Sequence, residues 1–185
     1  LKANIRNYVG KAIYGGRVCV NKKYIKKVLH GKFSDYDGVS LYPSAIVRLC
    51  NNFEFGKSKG GLPCGEAQRY CSNDLSNWEN KVYSILTVKI TSVGKIQQMP
   101  LIAVKNDNQS IDYVNEPPRN TDGSLKELII DSITLEDYIK FHKIEYELID
   151  GIYWDNGTNR TMGAIIEELF NERLKQKKLG NDALA

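Results

Sequence analysis

Asp37-Gly38-Val39-Ser40-Leu41-Tyr42-Pro43-Ser44, entered through Lys32-Phe33-Ser34-Asp35-Tyr36 and left through Ala45-Ile46-Val47-Arg48-Leu49-Cys50, reads as a strand, a turn and a helix. Phe33 and Tyr36 suit a short strand, Gly38 permits a tight exit, and Pro43 sits where a helix begins. The layout puts the Asp37 carboxylate at a strand end, beside the backbone amides of Ser40, Leu41 and Tyr42. A carboxylate there coordinates a hard cation and amides at a helix start attract an anion, so a metal-bound phosphate is a natural guest. Periodicity alone leaves a plainer reading open, with a solvated Asp ahead of an ordinary helix.

The literal string D-x-x-S-L-Y-P-S resembles the first carboxylate motif of family B DNA polymerases. Three further stretches are similar to the protein-primed branch of that family. Ile13-Tyr14-Gly15-Gly16 resembles its Tyr-x-Gly-Gly segment, with Ile13 at the tyrosine position and Tyr14 at the variable one. Leu62-Pro63-Cys64-Gly65 resembles the Leu-Pro-x-Gly that trails the carboxylate motif. Arg173 and Lys177, four apart, resemble the basic pair at the start of the fingers. A solvated helix end, where the dipole favours cations, accounts for that pair as well.

The resemblance implies a DNA-directed DNA polymerase that replicates DNA by protein-primed, two-metal nucleotidyl transfer. It makes Asp37 the catalytic carboxylate, and Asp37 with the Gly38 carbonyl the ligands of Mg²⁺, two divalent ions in the complete enzyme. Ser40, Leu41, Tyr42, Arg173 and Lys177 would bind the nucleotide, with Tyr42 under the sugar, and Tyr14, Gly15, Gly16 and Arg17 would contact DNA. The implied partners are a DNA primer-template, deoxynucleoside triphosphates and a terminal priming protein. No K-x-x-x-N-S-x-Y-G string, Asp-Thr-Asp or exonuclease region occurs in the chain, so the expectation is a fragment, inactive alone, of a longer enzyme. The competing reading is a non-catalytic nucleic-acid or terminal-protein binding module that keeps the polymerase framework. A carboxylate pair encoded downstream would discriminate the two.

Composition sets the bounds. With 185 residues, 42% of them hydrophobic, the chain can bury one ordinary core. No apolar run approaches the roughly 18 residues of a membrane span, and a chain opening on Leu1 looks excised. Cys19, Cys50, Cys64 and Cys71 form no C-x-x-C pair, and with only His30 and His142 beside them they make a poor zinc set. Free thiols suit a reducing compartment, host cytoplasm or mitochondrion if the gene is viral or plasmid-borne. Asn156-Gly157-Thr158 fits a glycosylation pattern but no secretory signal accompanies it.

In coarse order the chain reads as α+β, and the resemblance implies a polymerase palm fragment with a small β-rich insertion and a long fingers helix. Its expected divisions are 1–50 (palm segment with the basic Gly-Gly stretch and carboxylate motif), 51–130 (insertion), 131–160 (palm return) and 161–185 (start of the fingers). Apolar spacing predicts helices over 4–14, 44–48, 134–142 with Thr134 as cap, and 161–178 with Gly180 as stop. Met162, Ile165, Ile166, Leu169 and Phe170 are expected in the core. Strands are predicted at 17–20, 81–90, 101–104, 125–130 and 146–154, the last interrupted at Gly151, and 106–123 is read as loop.

Charge is distributed unevenly. Residues 1–34 hold nine lysines and arginines and no acid, leaving −5 on the rest of a chain whose net charge is +4. Such asymmetry points to a polyanionic partner. The chain is therefore expected to bind single-stranded or primer-template DNA weakly, each phosphate neutralised on duplex steepening the log–log salt slope by about 0.9. Anisotropy titrations across a salt series measure that slope, and salt-indifferent binding would contradict the expectation.

Overall fold

The computed structural model describes residues 3–18, 24–38, 40–50, 62–71, 73–108 and 110–181. In chain order it has helix α1 (Ala3–Ala12), helix α2 (Leu41–Cys50), strand β1 (Gln68–Arg69) and a 3₁₀ segment (Leu75–Asn80). Strands β2 (Tyr83–Val93), β3 (Ile102–Lys105), β4 (Ile111–Val114) and β5 (Glu127–Asp131) follow. Helix α3 (Ser132–Asp137) continues as a π-helical turn (Tyr138–His142), and strand β6 (Ile144–Trp154) and helix α4 (Thr161–Lys178) complete the described chain. The class is α+β.

Strand β2 organises the body. Its alternation sends Ser84, Leu86, Val88 and Ile90 to one face and Ile85 and Thr87 to the other, all of them buried. It pairs antiparallel with β5 on one side and β6 on the other, giving the order β1-β6-β2-β5. Helix α1 covers the Ile85 face, with Tyr8, Val9 and Ala12 near Ile85, Ile129, Ile152 and Trp154. The Tyr8 hydroxyl lies 2.6 Å from the Thr87 hydroxyl. On the Leu86 face sit the 3₁₀ segment, α3 and the β3–β4 hairpin, contributing Leu75, Trp78, Leu135, Tyr138 and Ile102. Buried among them, the Tyr70 phenol hydrogen-bonds Ser84 at 2.7 Å, and desolvation pushes its pKa up to about 12.

Two buried rings fasten the hairpin. The Tyr138 hydroxyl accepts from the Ala103 N–H (2.9 Å), and His142 Nε2 accepts from the Leu101 N–H (2.9 Å). His142 Nδ1 lies 3.1 Å from the Lys95 carbonyl, so the ring carries its proton on Nδ1.

Several sequence expectations change. No strand forms over Phe33–Tyr36, where the backbone is irregular and Phe33 and Tyr36 are 68% and 90% exposed. An extended segment becomes a strand only with a ladder partner, and none lies beside it among the described residues. Arg17 and Val18 are likewise outside any strand, while Cys19, Val20, the basic residues Lys22 and Lys23, and the first part of the 51–130 segment lie outside the described residues. The presumed loop 106–123 contains β4, whose Ile111, Asp112, Tyr113 and Val114 pair with β3. Asn, Asp and Ser of the flanking turns masked that short alternation.

Helix α3 begins before Thr134, because Asp131 is the cap: its carboxylate accepts from the Thr134 N–H (2.9 Å) and hydroxyl (2.7 Å). Strand β6 runs through Gly151 unbroken, and its irregularity is a bulge at Ile149, between the pairs Thr87–Asp150 and Val88–Leu148. The expected boundary at 130 falls inside β5, so the 51–130 and 131–160 segments share one sheet. On α4, Met162, Ile165 and Leu169 are 47%, 52% and 64% exposed rather than core, since α2 covers one stripe of that helix. Among the described residues no helix is long and apolar enough to cross a membrane.

Gly151 tolerates no side chain. An added Cβ would lie 2.9 Å from Leu86 Cδ2, 3.0 Å from the Ile85 carbonyl oxygen and 3.1 Å from Tyr70 Cδ2. Gly151→Ala should therefore destabilise the fold by about 1–3 kcal/mol. Gly10→Ala, in open space within α1, should stabilise it by up to about 1 kcal/mol. Denaturant titration of both variants checks the contrast.

Candidate active site

The octapeptide turns into α2 through Ser40, which adopts a left-handed backbone (φ 48°) uncommon outside glycine. The Ser40 carbonyl accepts the Ser44 N–H at 2.9 Å, so the helical ladder begins there. The amides of Leu41 and Tyr42 thus belong to the first turn, where no intrahelical acceptor exists, and Pro43 has no N–H to leave unpaired. Asp37 and Gly38 stand exposed immediately before the turn, and Leu41 and Tyr42 are exposed on it. A helix start of this kind attracts anions.

Helix α4 lies antiparallel along α2. At one end Gly163 meets Cys50 and Val47, and at the other Ile166 and Phe170 line a cleft of about 260 Å³ with Ser40, Pro43, Ser44 and Val47. Arg173 and Lys177 follow Phe170 at helical offsets of three and seven on the same stripe. At about 1.5 Å of rise per residue they stand roughly 5 and 10 Å beyond Phe170, past the Ser40 end of α2. The predicted carboxylate, first-turn amides and basic pair therefore share one end of one helix pair.

The Gly-Gly segment approaches Tyr42. A Cβ placed on Gly16 would lie 4.0 Å from the Tyr42 hydroxyl, whereas around Gly15 there is open space. Tyr14 is half-buried against the sheet core, and its phenol is raised by burial and by neighbouring Tyr113, while Ile13 is 65% exposed. Arg17 is turned inward: its Nη1 donates to the Pro100 carbonyl at 2.5 Å and its guanidinium lies 4.1 Å from the Tyr113 ring centre. Its Nε is buried without a partner among the described residues. Arg17 is thus engaged within the protein.

The Leu62-Pro63-Cys64-Gly65 turn bridges to the entry of α4, with Cys64 N–H on the Gly157 carbonyl (3.0 Å) and Asn159 N–H on the Leu62 carbonyl (2.7 Å). Sequence reasoning missed Tyr113, Lys105 and Gly163; the alternation Ile111-Asp112-Tyr113-Val114 was the available signal for the first. Among the described residues no cluster of three His, Cys, Asp or Glu side chains could hold a metal ion. Asp37, an exposed carboxylate beside first-turn amides, fits one side of a site for a cation bound to an anionic ligand.

Comparison with known proteins gives a consistent picture. The family model described as DNA polymerase type B, organellar and viral, matches residues 1–185. The chain is similar to the structure titled Phi29 DNA polymerase, orthorhombic crystal form, with TM-score 0.61 and 17% identity over 95% of this chain and 28% of that one. It is also similar to Phi29 DNA polymerase complexed with primer-template DNA and incoming nucleotide substrates, with TM-score 0.58 and 17% identity over 91% of this chain and 27% of that one. It thus spans a little over a quarter of those chains. No curated protein matches it.

The α2–α4 contact rests on Gly163, where an added Cβ would come 2.5 Å from Cys50 Cβ. Gly163→Val should part the two helices and expose the fully buried Cys50 thiol. Its labelling by a thiol reagent should accelerate about tenfold or more, while the already exposed Cys71 serves as the internal reference.

Proposed function

Because the chain belongs to the organellar and viral type B DNA polymerases, we propose that it is the part of such an enzyme that holds the incoming deoxynucleoside triphosphate against the primer terminus in protein-primed replication. The observation that carries this reading is the convergence, at the Ser40 end of α2, of Asp37, the first-turn amides and the stripe bearing Arg173 and Lys177.

In this reading the Ser40, Leu41 and Tyr42 backbone and the two basic side chains neutralise the triphosphate, whose charge no neutral cleft would accept. The Tyr42 ring, exposed beside the turn, packs under the sugar and leaves no room for a 2′-hydroxyl. Asp37 and the Gly38 carbonyl would hold Mg²⁺, two ions in the complete enzyme with a second carboxylate from elsewhere in it. The metal would offset charge on the triphosphate and the attacking 3′-oxygen. The Gly15-Gly16 backbone lets a DNA phosphate come close, because neither residue carries a Cβ to hold it off. A primer-template, deoxynucleoside triphosphates and a terminal priming protein are the partners of this reading. The likeness to the Phi29 complex supports the first two.

The test uses the complete polymerase. Asp37→Asn keeps the side chain's size and removes its charge, so Mg²⁺-dependent incorporation should fall by a factor on the order of 100 or more with an unchanged melting temperature. Tyr42→Val should admit ribonucleotides. Full activity of the Asp37→Asn enzyme would overturn the assignment.

A further inference from the structure

The glycine segment is gripped at both ends by one hairpin. From the end of β3, Lys105 Nζ donates to the Lys11 carbonyl (2.8 Å) and the Ile13 carbonyl (2.6 Å) and lies 4.5 Å from the Tyr14 ring centre. From β4, the Tyr113 ring lies 4.1 Å from the Arg17 guanidinium, which also donates to the Pro100 carbonyl just before β3. Gly15 and Gly16 are the two residues between these grips.

The hairpin is itself anchored. Tyr113 pairs in register with Ala103, whose N–H is held by the buried Tyr138 hydroxyl. Lys126 Nζ donates to the Lys105 carbonyl at 2.8 Å. A cation over an aromatic ring is an orienting contact, and a guanidinium that also donates to a carbonyl has little freedom left. Paired glycines, by contrast, have the widest backbone freedom of any dipeptide and lose the most on ordering.

We propose that Tyr113 and Lys105 are positioning residues, holding the Gly15-Gly16 backbone preorganised for a nucleic-acid phosphate. This rests on the polymerase reading for its ligand and on the hairpin contacts for its geometry. If the grip is lost, the DNA must order the glycines as it binds, so the cost falls on DNA affinity. Triphosphate binding, at the Ser40 end of α2 and on α4, is untouched because neither residue reaches it. A merely structural role would instead lower stability and leave the affinity of the folded enzyme unchanged.

The experiment compares Tyr113→Leu, Tyr113→Phe and Lys105→Met in the complete polymerase by two readouts. The first is tryptic cleavage after Arg17, followed by mass spectrometry, since trypsin needs the guanidinium that Tyr113 and Pro100 now hold. The second is the primer-template Kd set against the KM for deoxynucleotide. Tyr113→Leu and Lys105→Met should each raise Kd about five- to tenfold with KM unchanged, and Tyr113→Leu should speed cleavage after Arg17 by a similar factor. Tyr113→Phe, which keeps the ring, should match wild type in both. Cleavage at the wild-type rate in Tyr113→Leu, or an unchanged Kd in both disrupting variants, would overturn the proposal. If the wild-type enzyme neither bound primer-template nor incorporated nucleotides, the polymerase reading would fall instead, while the cleavage readout would still report on the grip.

Discussion

Strand β2 (Tyr83–Val93) is hydrogen-bonded along both edges and covered on both faces, and the alternation of its side chains assigns a neighbour to each layer. Leu86, Val88 and Ile90 are fully buried on one face and Ile85 almost so on the other. Each such side chain contributes about 1.5–3 kcal/mol relative to exposure, against a net stability only a few times larger. Losing this strand would therefore leave α1 and the β3–β4 hairpin with nothing to pack against. The constraint also routes the chain: Ala12 belongs to one face and Tyr14 to the other, so the segment just before Gly15 crosses from layer to layer.

That crossing explains why a glycine pair stands where it does. Anchored by α1 on one side and the hairpin on the other, the segment presents Gly16 to Tyr42. Arg17, next to it in sequence, and Lys105, which bonds the Ile13 carbonyl, face inward onto tyrosines and carbonyls.

The α2–α4 pair obeys a different economy. It has a single stripe of contact, centred on Gly163 and the Phe170 cleft, and large apolar side chains of α4 remain exposed. Shape, rather than buried area, holds the pair: without a side chain at Gly163 the two backbones approach closely. Ser40 adds a strained turn at the end that carries Asp37. Strain of this kind persists where surrounding structure enforces it.

Short-range physics made much of this legible in the residues. The alternation of β2, the span of α4 to Lys178 and the helix after Ser40 all follow from periodicity and turn residues within a few positions of each other. The octapeptide, read as a family likeness, led to the end of α2 where Asp37 and Ser40 stand, though periodicity alone left a solvated Asp open. Other features depend on partners remote in sequence, and the chain gives no local sign of them. Phe33 and Tyr36 have strand chemistry but, among the described residues, no ladder beside them, and the apolar stripe of α4 has helical spacing but is covered by α2 along only part of its width. Lys105 meets the Ile13 carbonyl across 92 positions, and Arg17 meets Pro100 across 83. Periodicity reports which face a residue occupies, whereas what covers that face, and whether a cation points to solvent or to a tyrosine, is decided only when distant segments pack.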